Sequence, residues 1–208
     1  KRFKILDHKY RRFRYGMQVN SLGLTELQPE NNVYRILIQM LPVVIAKNSR
    51  ARAVQLPAWN EALGLPRPWD QQWSLRLQQI MAYETDLLEF SDIFEGSRVL
   101  KEKIKDLKKS AHNELKKIDK IGGLVSAIES GYLKSKLVES QTHRQINIEK
   151  GQQKVVGVNC FAEGEQSPLV NEKDGGFMKV DDKAEKKQIA NVVKWKTKRD
   201  EKNVKSNL

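Results

Sequence analysis

Residues 50–84 read RARAVQLPAWNEALGLPRPWDQQWSLRLQQIMAYE, and this stretch decides the fold because it contains a complete strand-to-helix transition. Residues 51–57 form a short strand-like run, and the glycine and prolines that follow between residues 64 and 68 are typical of a long loop. Apolar residues then recur every three or four positions, which predicts a helix from about Asp70, a candidate cap, to Leu88. The stretch therefore predicts a strand, a loop and a helix.

The chain before residue 50 shows the same order of elements. Residues 13–21, FRYGMQVNS, alternate between apolar and other side chains, and this period of two predicts a strand with one apolar face. An asparagine within residues 29–32 can cap the helix that follows, and Pro42 is expected to kink or end it. Two successive units of this kind predict an α/β fold with parallel strands and helical crossovers, either a barrel or a doubly wound sheet.

One face of each predicted strand carries small or polar groups where a packed barrel would carry bulky branched side chains. These residues are Gly16, Gln18 and Asn20 in the first strand and Ala51, Ala53 and Gln55 in the second. If the two faces point into a barrel, its axis is lined for a polar ligand. They could equally face solvent or loops, and the sequence leaves both interpretations open.

The second half of the chain is predicted to be mainly helical. An amphipathic helix from Arg98 to Lys120 ends at two glycines, and a short helix and a longer one from Tyr132 to Glu149 follow. Residues 154–161, KVVGVNCF, predict a buried strand. The chain then becomes polar, with one weak amphipathic helix near its end, so residues 162–208 are interpreted as a linker or tail.

Composition argues against several classes of protein. The 208 residues include 38 Lys and Arg against 26 Asp and Glu, a formal net charge of +12. The basic residues alternate with apolar ones at helical spacing, which indicates a solvated surface more than a nucleic-acid interface. No apolar run is long enough for a membrane span. A single cysteine, Cys160, and three scattered histidines give no internal disulfide and no recognisable metal-ligand spacing.

Several short motifs carry a resemblance to a known family. They are RYGMQ at 14–18, QPENN at 28–32, AVQLPAWNEALGLPRPWDQQWSLR at 53–76, AYET at 82–85, IGGLVSAIESGY at 121–132 and VVGVN at 155–159. In this order and register they resemble the adenosylcobalamin-dependent acyl-CoA mutases. The segment rich in tryptophan and proline around residues 63–73 is most similar to the ethylmalonyl-CoA branch of that family. Other branches tend to have Leu-His-Thr-Asn where this chain has the residues Val-Gln-Leu-Pro at 54–57.

The resemblance implies a (β/α)8 TIM barrel threaded by the CoA thioester, with adenosylcobalamin held across its mouth by a separate flavodoxin-like domain. Such a barrel needs about 250 residues. Residues 1–161 are therefore expected to be its C-terminal part, namely the last strands and helices, and residues 162–208 the beginning of an interdomain linker. The family's cobalamin signature, Asp-x-His-x-x-Gly, does not occur in the sequence, so the cobalamin-binding domain is expected to be absent and this chain alone inactive.

The implied reaction is the rearrangement of ethylmalonyl-CoA to methylsuccinyl-CoA by a radical 1,2-shift, a step of the ethylmalonyl-CoA pathway, in a cytoplasmic isomerase. The expected partners are the acyl-CoA substrate, the missing barrel half, the cobalamin domain and, in the complete enzyme, a second copy that forms a homodimer. Neither nucleic acid nor a membrane is expected. The alternatives are methylmalonyl-CoA mutase activity or that of a paralogue, and a non-catalytic barrel-half subunit.

The resemblance also carries over four site residues by position. Arg14 stands where the family has an arginine that contacts the CoA portion, and a guanidinium suits phosphate through forked hydrogen bonds. Gln18, further along the same face, is expected near the thioester channel. Gln55 matches a position facing the cobalamin ring, where an amide can pair with corrin amides. Glu84 matches a glutamate near the adenosyl ribose. No catalytic residue or metal ligand is assigned to this segment, and a surface arginine and a helix-surface glutamate are the alternatives for Arg14 and Glu84.

Overall fold

The computed structural model describes residues 4–168, 176–178 and 181–207, and within them it contains one sheet of two parallel strands. β1 (Met17–Gln18) pairs with β2 (Val54–Gln55), with Gln18 directly opposite Gln55. Backbone hydrogen bonds extend the ladder: the Arg52 amide donates to the Tyr15 carbonyl at 3.0 Å, and the Val19 amide donates to the Gln55 carbonyl at 2.9 Å. The predicted parallel pairing is therefore confirmed.

The remaining regular structure in the described residues is helical. The α-helices are α1 (Asn31–Ile45), α2 (Pro68–Tyr83), α3 (Arg98–Ile121), α4 (Leu124–Glu129), α5 (Tyr132–Glu149), α6 (Asp182–Lys198) and α7 (Glu201–Ser206). α1 connects the two strands, and α4 packs against both α3 and α5. No helix in the described ranges is long and apolar enough to cross a lipid bilayer.

The core lies between one face of the sheet and the first two helices. Val19 and Leu56, which follow the two glutamines in the strands, are buried against Ile36 and Met40 of α1 and against Met81 of α2. Burying a side chain of this size contributes about 1.5–3 kcal/mol. The alternation thus directs Val19, Val54 and Leu56 toward the helices and leaves the glutamine face uncovered. Phe13 and Met17, on the predicted apolar face of the first strand, are instead 84% and 41% exposed.

The sheet is narrow in the part of the chain that the structure describes. Each strand has one neighbour, so the outer edge of each presents backbone N–H and C=O groups without a strand partner. A parallel pair joined by a helix is an α/β arrangement. The eight-stranded TIM barrel implied by the resemblance is not formed by these residues.

Residues 154–161 form a compact turn, so the prediction of a buried strand there is wrong. The Asn159 amide donates to the carbonyls of Ile148 and Gln153, and its oxygen accepts from the Val155 amide, each at 2.7 Å. Gly157 has a φ of 80°, and its amide donates to the Cys160 carbonyl at 2.8 Å. The asparagine holds the Val155 amide and ties the segment back to the end of α5, and this outweighs the β-propensity of the valines.

Most helix predictions are confirmed, including Tyr132–Glu149 and the end of α3 at Gly122, whose φ is 109°. Pro42 lies inside α1, which continues to Ile45, because a proline in the last turn disturbs few later hydrogen bonds. α2 ends at Tyr83 instead of Leu88, since Thr85 caps a short 3-10 turn that begins at the next residue.

Two predicted helix caps are wrong. Asp70 is the third residue of α2, and Arg67 occupies the cap position, with the Asp70 carboxylate accepting from the Arg67 amide at 2.8 Å. At α1 the cap position is Glu30, without a capping side chain, and Asn32 instead points into the interior. Both polar residues satisfy buried tertiary partners, which a local pattern does not reveal.

Candidate functional site

The uncovered face of the sheet carries two adjacent amides at the carboxyl ends of the strands. Gln18 and Gln55 are register partners, and both are exposed. Within the described ranges neither side chain has a hydrogen-bond partner. An amide can both donate and accept, so the pair is available to a polar ligand.

Small residues keep the same face flat toward the amino ends of the strands. A Cβ atom added at Gly16 would lie 3.4 Å from the Ala53 carbonyl oxygen and 3.8 Å from the Ala53 Cβ. A larger side chain at Gly16 would therefore cover the neighbouring strand. The small pair leaves a shallow path along the sheet toward Gln18 and Gln55.

A basic groove of about 1120 Å³ lies at the amino ends of the strands. Its lining contains five cationic side chains and no carboxylate: Arg12, Arg14, Arg50, Arg52 and Lys108. Phe13, Tyr15, Ser49 and Ile104 complete the wall. None of the five cations forms an ion pair with another described residue. We call this feature the basic groove.

Three segments hold the basic groove in shape. The Tyr15 hydroxyl donates to the Ser49 carbonyl at 2.5 Å, which joins the segment before β1 to the segment before β2. The Phe13 and Tyr15 rings are stacked, with centroids 5.1 Å apart. Arg50 adopts φ 57° and ψ 36°, a left-handed conformation uncommon for a residue with a side chain. The third segment is α3, which supplies Ile104 and Lys108.

Arg14 links the basic groove to the polar face. It lines the groove and, by the alternation of the strand, belongs to the same face as Gln18. Four residues of strand span about 13 Å. The arrangement can therefore hold a long ligand with an anionic end among the cations and a polar, uncharged portion along the glutamines.

A buried network fixes the loops that leave the carboxyl ends of the strands. Asn32 is fully buried, and its amide donates to the carbonyls of Thr25 and Trp59, both at 2.9 Å. Arg35 donates to the Asn32 side-chain oxygen at 2.7 Å and to the Val156 carbonyl at 2.7 Å. Burial lowers the pKa of Arg35 from its usual value. The network thus joins both loops to the Asn159 turn.

A second polar network starts α2. Asp70 is fully buried and accepts from the side chain of Asn60 at 2.8 Å and from the side chain of Arg67 at 3.0 Å. Burial alone would raise the pKa of Asp70. The hydrogen bonds from the Arg67 side chain and backbone and from Asn60, together with the Arg67 charge, outweigh it and lower the pKa.

The three tryptophans of the 50–84 stretch form one cluster, with ring centroids between 6.1 and 6.4 Å apart. Trp59 is 6% exposed, whereas Trp69 is 44% and Trp73 is 50% exposed. The Arg67 guanidinium lies 4.7 Å from the Trp69 ring centre. Such contacts are typical of side chains that anchor a loop by packing.

Glu84 lies apart from Gln55. It is the exposed residue that ends α2, ten residues after Ser74, whose hydroxyl donates to the Pro57 carbonyl at 2.6 Å. Ten helical residues span about 15 Å, and α2 runs back toward the amino ends of the strands. Lys47, which precedes β2, donates to the Leu88 carbonyl at 3.0 Å. This bond places the end of α2 near the amino ends of the strands. The structure therefore does not bring Gln55 and Glu84 together.

The first exposed carboxylate beyond the carboxyl end of β2 is Glu61. It follows the buried run that ends at Asn60, and its amide donates to the Ala58 carbonyl at 3.1 Å. A carboxylate at this end of the sheet is suited to accept hydrogen bonds from a polar ligand. Across the described ranges, no group of three or more His, Cys, Asp and Glu side chains could hold a metal ion.

Sequence reasoning identified Arg14 but missed the other members of the basic groove. The signal for Arg12, Arg50 and Arg52 was present, since basic residues flank the amino ends of both predicted strands. Lys108 could not have been found in this way. Its place depends on how α3 lies beside the segments that precede the strands, which the periodicity of α3 does not specify.

Comparison with known proteins finds one matching family and several similar enzymes. The methylmalonyl-CoA mutase family matches residues 1–208. Ethylmalonyl-CoA mutase of Cereibacter sphaeroides is 58% identical over 199 residues, which cover 96% of this chain and 30% of that protein. The enzyme of the same name from Methylorubrum extorquens is 58% identical over 203 residues, covering 98% of this chain and 29% of that protein.

Methylmalonyl-CoA mutase of Escherichia coli is more distant, at 28% identity over 200 residues, covering 96% of this chain and 27% of that protein. The chain thus spans about 30% of the length of the relatives it matches. Both the resemblance and its ethylmalonyl-CoA branch are confirmed.

Proposed function

Because the chain belongs to the methylmalonyl-CoA mutase family, we propose that the complete protein is an adenosylcobalamin-dependent isomerase that converts ethylmalonyl-CoA to methylsuccinyl-CoA. The branch is chosen because identity to ethylmalonyl-CoA mutases is 58%, against 28% to a methylmalonyl-CoA mutase. Two thirds of the relatives' length lies outside this segment, so the activity belongs to the complete protein.

The single observation that carries the proposal is the polar face that the parallel pair leaves uncovered. The basic groove lies at the amino ends of the strands and the two glutamines lie at the carboxyl ends. In a barrel whose interior is packed, this face would carry bulky branched residues. We propose that β1 and β2 are neighbouring strands of a (β/α)8 barrel and that their polar face lines its axis.

Arg14 and Gln18 are the proposed substrate contacts. The Arg14 guanidinium would form forked hydrogen bonds with a phosphate of the acyl-CoA. The Gln18 amide, four residues further along, would hydrogen-bond the amide-containing arm or the thioester. Together they would align the substrate along the strand and fix its acyl group at the carboxyl end, where a lid would exclude water.

The carboxyl end also has the right chemistry for the cofactor. Gln55 is exposed there without an intramolecular partner among the described residues, and its amide can exchange hydrogen bonds with the amides of a corrin ring. When bound, adenosylcobalamin supplies the radical chemistry that such rearrangements require. The role predicted for Glu84 at the adenosyl ribose is retained as a proposal. Glu84 follows the last residue of α2, whereas Gln55 lies near the end at which α2 begins. The contribution of Glu84 to cofactor binding must therefore be compared with that of Glu61, the exposed carboxylate nearest to Gln55 in sequence.

A direct test is to assay the full-length protein with adenosylcobalamin and either ethylmalonyl-CoA or methylmalonyl-CoA, with products identified by mass spectrometry. We expect methylsuccinyl-CoA from the first substrate at a kcat/KM at least about tenfold above that for the second. Preference for methylmalonyl-CoA would replace the substrate assignment, and a protein that turns over neither would overturn the proposal. We further propose that the complete enzyme is a cytoplasmic homodimer, which native mass spectrometry and fractionation test.

A further inference from the structure

The basic groove carries more positive charge than one diphosphate needs. Five cationic side chains line it, no carboxylate does, and none of the five is ion-paired to another described residue. Like charges held this close repel one another, so the groove favours a ligand with several negative charges. A diphosphate supplies two, and a phosphate monoester adds about 1.5–2 more at pH 7.

The geometry places two of the five cations on different walls of the groove. Arg14 belongs to the polar face that leads to Gln18, so it adjoins the part of a ligand that continues along the strands. Lys108 comes from α3, on the wall of the groove that does not belong to the sheet. Ile104, one helical turn before Lys108, lines the same wall. An anionic group at the far end of the ligand would therefore meet Lys108.

The groove also presents aromatic surface. The stacked Phe13 and Tyr15 rings lie in its lining, and Phe13 is 84% exposed. Exposed aromatic faces beside cationic side chains suit a nucleobase, because every base has a π-face on which to stack. The chemistry that matches all three observations is a nucleotide with a diphosphate on one side and a separate phosphate monoester on the other.

We propose, on the basis of the function proposed above, that α3 is part of the substrate site and that the Lys108 ammonium group binds the 3′-phosphate of the acyl-CoA. The diphosphate lies with Arg14, where the amide-containing arm begins its path along the strands. The adenosine lies against the Phe13 and Tyr15 rings. Lys108 then determines whether the enzyme distinguishes CoA from 3′-dephospho-CoA.

The test measures binding of CoA and of 3′-dephospho-CoA to the full-length protein by isothermal titration calorimetry. The wild type is compared with Lys108→Gln and with the matched control Lys109→Gln, which changes the adjacent lysine of α3, outside the groove lining. We expect the wild type to bind CoA about tenfold more tightly than 3′-dephospho-CoA. Lys108→Gln should reduce that ratio to about two by weakening CoA only, and Lys109→Gln should leave it unchanged.

The outcomes separate this inference from the proposed function. If the wild type turns over ethylmalonyl-CoA but binds CoA and 3′-dephospho-CoA equally well, the proposed contact of Lys108 with the 3′-phosphate is wrong. The proposed function is then unaffected. The same conclusion follows if Lys108→Gln and Lys109→Gln give the same ratio. If the wild type binds no CoA at all, both proposals are overturned. A shallower dependence of CoA affinity on salt in Lys108→Gln than in Lys109→Gln supports a direct charge contact.

Discussion

The strand-containing region, residues 15–83, and the helical region, residues 98–149, are built on the same kind of sequence pattern but pack very differently. In the first, the apolar side chains of both strands and both helices meet in one core, with Met40 completely buried. In the second, α3 and α5 contain no buried residue, and Leu107 in the apolar stripe of α3 is 61% exposed. Ala127 of α4 is the buried apolar residue of that region.

The difference shows that hydrophobic periodicity predicts a helix more reliably than it predicts what that helix packs against. Hydrophobic spacing in α3 is as regular as in α1, since both follow a helical period. What distinguishes the regions is the alternation of the strands, which directs one face of a sheet onto two helices at once. If the energy of folding follows the same division, substitutions in the strand-containing region should be the more damaging.

The largest effect is expected from truncating a leucine in the core. Leu56→Ala should lower the free energy of unfolding by about 2–5 kcal/mol, because it removes a side chain that is 6% exposed and leaves a cavity. The matched change Leu107→Ala, in the stripe of α3, should lower it by less than about 1 kcal/mol. Chemical denaturation measures both. Equal losses would show that the α3 stripe is covered in the complete protein and would remove the contrast.

The next effect concerns the polar network at the start of α1. Asn32→Ala leaves the buried carbonyls of Thr25 and Trp59 without their hydrogen-bond donor. It should therefore lower the free energy of unfolding by about 3 kcal/mol. Asn31→Ala, at the adjacent half-buried position, removes one side-chain bond to Gln28 and should lower it by less than about 1 kcal/mol. A urea titration of the two variants compares them. The prediction fails if the two substitutions are equally damaging.

A smaller and pH-dependent effect is expected at Asp70. Because its pKa is lowered in the folded state, its contribution is present above the unfolded value of about 3.9 and is lost as the pH falls through the folded pKa. Asp70→Asn should lower the free energy of unfolding by about 1–2 kcal/mol at pH 7, and the difference from wild type should shrink in acid. Denaturation between pH 2.5 and 7 measures this difference. A gap that stays constant into acid would contradict the ion-pair account.

The smallest effects are expected at the two proposed contacts with the cofactor. Gln55→Ala should weaken adenosylcobalamin binding by about fivefold and Glu84→Gln by about threefold, with acyl-CoA affinity unchanged in both. Spectral titration of the full-length protein with adenosylcobalamin gives the first quantity, and calorimetry with acyl-CoA the second. Glu61→Gln serves as the comparison. If it weakens the cofactor while Glu84→Gln does not, the ribose contact belongs to the carboxyl end of β2, and equal losses for both ligands would contradict a cofactor role for Glu84.

Much of the fold could be predicted because its signals are local. The alternation of residues 13–21 predicted a strand and the burial of Val19, and the two glycines after α3 predicted the end of that helix. The parallel pairing followed from the order of strand, helix and strand. Arg14, Gln18 and Gln55 could be selected by motif position, and the structure brings Gln18 and Gln55 side by side.

The rest depends on hydrogen bonds and element directions that periodicity does not encode, some local and some between residues far apart in sequence. Asn32 resembles a helix cap, yet its amide is used by Trp59, which lies 27 residues away. Residues 154–161 resemble a strand, yet Asn159 accepts from the Val155 amide and donates to the Ile148 carbonyl, and the segment forms a turn. The separation of Glu84 from Gln55 follows from the direction of α2, which a motif placed on a helix end does not encode. The wrong predictions thus fall where specific hydrogen bonds or the direction of a helix decide the structure, because hydrophobic periodicity encodes neither.

The open edges of the β1–β2 pair have a practical consequence for recombinant production. Unpaired backbone donors and acceptors along both sides of a sheet can be completed by any extended chain that meets them, including another copy of the same segment. Residues 1–208 expressed by themselves should therefore accumulate largely in inclusion bodies. Co-expression with the remainder of the polypeptide should move them into the supernatant, because the proper neighbouring strands then reach the edges first.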